Sequence, residues 1–250
     1  MTDDEPKAPG SSGENEGDRV NLRQLYESEL RKLPRDARVA LARLGSGAKV
    51  RALCFDPEPQ VVRAVLENPK ATNEHARLVA AHHRTASGLE AIARRAPFLS
   101  DPEVRRLLLR NVQSSEPLLR RLLQSAPLIL LFRVQHGHEL SERARQVATR
   151  SLRRRFATAS AEDRVGLIIG TEGRCLRMLV GVPLDSKAIA LLCRRGFASE
   201  LLIRNLAQWP SSPPPLIRHL LKQPLVRHSA MLKRLLTQHP NCPAQLKRGV

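Results

Sequence analysis

Large aromatic side chains are nearly missing from this sequence. Tryptophan and tyrosine occur once each and phenylalanine five times in 250 residues. Strands enrich aromatic and β-branched residues, so a core carried by leucine, alanine and valine points to helices. The shortage also excludes an extended platform on which single-stranded bases would stack. Cysteine is equally sparse. Cys54, Cys175, Cys193 and Cys242 lie far apart, with no C-x-x-C pair. That spacing predicts four reduced thiols rather than a disulfide framework or a zinc site.

Long apolar runs are absent as well. The longest, "PLILLF" at Pro127–Phe132, is far short of the roughly 20 residues that span a bilayer. The N-terminus is acidic and polar, the reverse of a secretory leader. The expectation is a cytoplasmic protein with no transmembrane segment.

Acid is scarce outside the first 19 residues. Those hold six acids and two bases, a net of −4, while the remainder holds 40 bases and 18 acids, a net of +22. Residues 1–18 carry almost nothing apolar and are expected to form a disordered acidic tail. Residues 19–250 are expected to form one ordered domain. A body this basic attracts polyanions: acidic protein segments, nucleic acid or anionic surfaces. The opposite charge of the tail raises the expectation that it folds back and competes with a ligand.

What is present is a beat. "RAVLENP" ends at Pro69, "RLLQSAP" at Pro127, "RMLVGVP" at Pro183, "RNLAQWP" at Pro210 and "RLLTQHP" at Pro240. "AIARRAP", ending at Pro97, fits apart from Ala91 in the arginine position, and "RSLRRRF", ending at Phe156, fills the one empty slot. The prolines are 28, 30, 56, 27 and 30 residues apart, the long gap being two periods. Self-similarity at a fixed period of this length marks a repeat architecture. Each unit reads as two short helices. A capping residue follows the proline (Thr72, Ser100, Asp185, Ser212), and the second helix stops before the next proline. The expected fold is an all-α right-handed solenoid of seven to eight two-helix repeats with a period near 28 residues.

Within the second helix, apolar residues recur eight, five and four positions before the proline. The arginine six positions before it falls on the opposite face. Arg63, Arg121, Arg177, Arg204 and Arg234 are therefore expected to form a solvated column, spaced on the order of 10 Å by helix packing. Of the acids early in these helices, Glu58, Glu116, Glu172 and Glu200, only Glu200 has i,i+4 spacing to the column arginine of its own helix, Arg204.

"DPEPQVVRAVLENPKAT" (Asp56–Thr72) and "LVRHSAMLKRLLTQHPNCPAQL" (Leu225–Leu246) resemble leucine-rich repeat variants and, more loosely, HEAT-like α-solenoids. The resemblance covers about residues 35–250 and implies a binding scaffold. Some leucine-rich repeat variant proteins hold an iron–sulfur cluster on N-terminal cysteines. No cysteine precedes Cys54 here, so no cofactor is implied. A HEAT-like group that removes damaged DNA bases uses aromatics and a carboxylate in a basic concave face. Trp209 and Tyr26 lie in different regions of this chain, and that activity does not carry over.

Other motifs yield little chemistry. "RLGSGAKV" (Arg43–Val50) lacks P-loop spacing and reads as a turn between helices. "GTEG" (Gly170–Gly173) matches the GXXG clamp of KH domains, but Glu172 would repel phosphate and the repeat predicts a helix break there. His82-His83 and His136-x-His138 lack further metal ligands. No nucleophile–base arrangement stands out. The basic clusters are richer. "RQVATRSLRRRF" places Arg145, Arg150, Arg153, Arg154 and Arg155 on one predicted helix, and arginine outnumbers lysine 34 to 8. Arginine binds carboxylate and phosphate bidentately. The leading expectation is a non-enzymatic scaffold for an acidic protein segment. The alternative is a nucleic-acid-binding protein that contacts phosphates without sequence preference.

Overall fold

The computed structural model describes residues 15–247, and the side chains of 21–246 within them. Residues 1–14, most of the expected acidic tail, lie outside the described residues. The protein is all-α, with no strand among the described residues. It divides into two compact units, residues 1–122 with 139–141, and residues 123–138 with 142–250.

The first unit contains α1 (Asn15–Ser28), α2 (Arg35–Leu44), α3 (Ala48–Ala52), α4 (Pro59–Glu67), α5 (Asn73–His82), α6 (Ala86–Ala93), α7 (Ala96–Ser100), α8 (Pro102–Arg110) and all but the last residue of α9 (Glu116–Leu123). Helix α4 shows how the beat folds. Pro59 opens it, at a position where a missing N–H costs nothing. Val61, Val62, Ala64, Val65 and Leu66 are buried together. Arg63 and Glu67 face outward and pair at 2.7 Å. Helix α4 packs between α2 and α6, while α5 packs on α8. Second helices thus stack on second helices, and first on first.

Asparagines fasten stacked helices. Asn68, just past α4, donates its Nδ2 to the carbonyls of Ala42 (2.8 Å) and Gly45 (3.0 Å) at the end of α2. Asn111, just past α8, does the same to Ala80 (2.9 Å) and His83 (3.0 Å) at the end of α5. A helix end leaves its last carbonyls without intrahelical partners, and these amides supply them. Arg95 adds a bond from Nη1 to the Leu66 carbonyl at 2.7 Å.

The second unit contains α10 (Leu128–His136), α11 (Glu142–Thr158), α12 (Ala161–Gly170), a 3-10 segment (Arg174–Met178), α13 (Ser186–Cys193), α14 (Glu200–Gln208), α15 (Pro214–Leu221), α16 (Pro224–Arg227), α17 (Ala230–Thr237) and α18 (Ala244–Lys247). The 3-10 segment packs on α14, and α14 on α17. The fastening recurs. Asn205 donates to the Glu172 carbonyl (2.8 Å), and Asn241 to those of Pro210 (3.2 Å) and Ser212 (2.9 Å). Arg155 donates to the Ala126 carbonyl, and His239 Nε2 to the Trp209 carbonyl at 2.9 Å.

Three local expectations are corrected. The "RMLVGVP" unit forms a 3-10 segment in place of a second α-helix. The turn at Glu172 and Gly173, with φ of 50° and 75°, leaves it too little length for more. "RSLRRRF" is the end of a single 17-residue helix, α11, rather than a short one. Of the four expected caps, Asp185 accepts from the Ala188 N–H at 2.6 Å and Thr72 starts α5. Ser100 is displaced by Asp101, whose Oδ1 accepts from Val104 N–H at 2.9 Å. Buried Ser212 points back and donates to the Leu206 carbonyl at 2.6 Å.

Candidate binding surface

Five turns of the beat test the periodicity directly. The residues eight positions before the proline (Val61, Leu119, Cys175, Leu202, Leu232) are all buried. So are those four before it (Val65, Leu123, Leu179, Leu206, Leu236). Between them, Arg63, Arg121, Arg177 and Arg234 are exposed and Arg204 is half-buried. Arg63 and Arg121 belong to the first unit and Arg177, Arg204 and Arg234 to the second. In the second unit the three sit on successive stacked elements: the 3-10 segment, α14 and α17.

These arginines are not equally available. Arg63 is held by Glu67, and Arg204 by Glu200 at 2.9 Å. The guanidinium groups of Arg121, Arg177 and Arg234 have no ion-pair partner among the described residues. In the α11 cluster several arginines are engaged. Arg145 pairs with Glu142 at 2.6 Å. Arg155 is spent on the Ala126 carbonyl, and Arg153 donates from Nη2 to the Val180 carbonyl at 3.1 Å. Arg150 and Arg154 are exposed. Part of the sequence-predicted cluster is therefore structural arginine, capping carbonyls and covering apolar surface with its stems.

The charge is distributed unevenly between the units. The second unit holds 21 basic and 6 acidic residues, a net of +15, and the first 21 basic and 18 acidic, a net of +3. In the first unit, arginines meet carboxylates repeatedly, as in Arg51–Glu74 (2.8 Å) and Arg106–Glu103 (2.8 Å). Buried Arg38 joins Asp56 at 3.1 Å and the Tyr26 hydroxyl at 3.2 Å. Burial holds the Asp56 carboxyl above its ordinary range, and Arg38 counters this. Arg77 grips Asp101 with two nitrogens, at 2.6 and 3.2 Å, and holds that carboxyl below its ordinary range. The second unit has too few acids to neutralise its bases in this way.

One cleft lies beside Arg177. It has a volume of about 200 Å3 and runs between the 3-10 segment and the end of α14, with Gly173, Leu176, Val180, Asn205 and Trp209 among its lining. Sequence reading missed it, because its two sides are a repeat apart. Burial pushes the pKa of Cys54 far up and that of Cys175 up to about 11. No helix among the described residues is long and apolar enough to cross a membrane. No protein family model, curated protein or solved structure matches the chain.

Proposed function

We propose that the chain is a non-enzymatic α-solenoid scaffold of seven to eight two-helix repeats, resembling leucine-rich repeat variants. It binds an acidic protein segment through the basic surface of its second unit. The net charge of +15 on that unit carries the reading. Arg177 and Arg234, exposed on the two elements that pack on either side of α14 and without carboxylate partners among the described residues, offer a carboxylate-rich segment two-pronged bonds. Electrostatic complementarity of this kind sets on-rate and partner choice more than raw affinity.

A second reading has support of its own. Arg150 and Arg154 are exposed on the 17-residue α11, and a row of arginines there suits phosphates as well as carboxylates. A titration of labelled acidic peptide and of random-sequence DNA and RNA at several salt concentrations separates the two. The scaffold reading expects peptide binding that weakens on Arg177→Ala with Arg234→Ala. Tight nucleic-acid binding, steeply salt-dependent and lost on substitution of Arg150 and Arg154 by alanine, would replace it.

A further inference from the structure

We propose that the cleft at Trp209 is the specificity pocket of this surface and takes one apolar side chain carried in an acidic peptide segment. The inference rests on the scaffold reading above and names its anchor point.

Size comes first. At about 200 Å3 the cleft is smaller than the roughly 300 Å3 at which cofactor and drug-sized sites begin, so it suits a single side chain. Its walls are mostly apolar, from Leu176 and Val180 to Trp209 and Pro210, with Asn205 and Gln208 as polar members of the lining. Val180 is 50% exposed, an apolar side chain with one face uncovered. The floor is rigid. Glu172 and Gly173 turn in the left-handed region, and a Cβ on Gly173 would stand 2.9 Å from that of Asn205. The Trp209 carbonyl is held by His239 Nε2 at 2.9 Å and by the Ser212 N–H at 2.9 Å.

The rim is basic. Arg177 lines the cleft with its guanidinium unpaired among the described residues. Exposed Arg153 reaches the same rim through its bond to the Val180 carbonyl, at 3.1 Å. An apolar pocket flanked by two arginines asks for an apolar residue between acids.

Trp209 supplies an independent sign. It is 2% exposed, and its Nε1 is buried without a hydrogen-bond partner among the described residues. An orphaned buried donor is costly, so the indole is held in the cleft wall at an energetic cost rather than by a partner of its own. The same burial argues against nucleic acid at this point. An indole 2% exposed offers no face on which a base could stack.

Trp209 is the one tryptophan in the chain, so its fluorescence reports on this cleft alone. The probes are three labelled, capped heptapeptides: leucine flanked by three acids on each side, the same with serine for leucine, and the same with lysines for the acids. Label anisotropy reads binding, and Trp209 emission reads the site. The acidic leucine peptide is expected to bind with a saturable change in emission. Serine for leucine is expected to weaken binding by about tenfold or more, the equivalent of burying one leucine. Arg177→Ala is expected to weaken it by roughly fivefold to tenfold. Val180→Asp, checked for native helicity, is expected to abolish it.

Equal binding of the leucine and serine peptides, or binding with constant emission and no effect of Arg177→Ala, would overturn the pocket and leave the scaffold reading standing. Failure of both acidic peptides at low salt, with random-sequence DNA bound, would overturn both.

Discussion

His75 occupies the third position of α5, where a Glu or Gln side chain ordinarily closes a capping box with the residue that starts the helix. Its Nδ1 plays that part, accepting from the Thr72 N–H at 3.2 Å with the Thr72 hydroxyl at 3.0 Å. An accepting Nδ1 places the ring proton on Nε2 and requires a neutral ring. Burial lowers the His75 pKa from 6.5, and burial lowers that of His83 too. The unfolded chain therefore binds these protons more readily than the folded one. Stability is fully present above 6.5 and is lost as pH falls through the lowered folded values. Urea midpoints measured from neutral to mildly acid pH should show this decline. His75→Gln keeps the acceptor without the titration and should remove part of it, and a decline unchanged in that variant would contradict the assignment. Gly88 is tied to the second histidine. A Cβ there would lie 1.8 Å from His83 Nε2, a ring seated 2.7 Å from the Thr85 hydroxyl, so the glycine is the space the histidine needs.

Helices are where the sequence was most legible. Apolar positions eight and four before each proline are buried in all five compared units, and the arginine between them is outside or half outside. Two substitutions on neighbouring elements turn this into a contrast. Leu206→Ala, at a fully buried site, should cost about 2–5 kcal/mol. Arg234→Ala, on an exposed face, should stay within about 0.5 kcal/mol in a denaturant titration. A large loss at Arg234 would mean that this arginine is structural. The asparagine fastenings were not legible. Asn68 and Asn111 look like ordinary residues at helix ends, and their carbonyl partners lie 26 to 31 residues back. Local pattern cannot carry an interaction whose partner is a repeat away. Asn68→Ala, which strips the carbonyls of Ala42 and Gly45 of their donor, should cost about 1–3 kcal/mol by the same titration. The Trp209 cleft was hidden for the same reason. The one hint available beforehand was that the residue before the proline is so often a hydrogen-bonding one: Asn68, Trp209, His239.

Across the whole chain, charge is the property that sorts the two units. The total of +18 was plain from composition, but its concentration as +15 in the second unit needed the boundary that the fold supplies. Residues 1–14 hold four acids and one base, a net of −3 at the opposite extreme. A segment of that sign, tethered to the same chain, is expected to compete with an acidic ligand for the arginines. Deleting residues 1–14 should therefore tighten binding of the acidic leucine peptide several-fold at low salt. The gain should vanish near 1 M salt, where screening reduces the reach of charge to about 3 Å. Two controls fix the interpretation. The lysine peptide should respond in the opposite direction, since it loses an attractive segment. Arg177→Ala combined with the deletion should show a smaller gain than the deletion alone, because tail and peptide then share a weaker target. Equal affinity with and without the segment at low salt would show that the acidic segment does not compete and that the basic surface is open to its partner at all times.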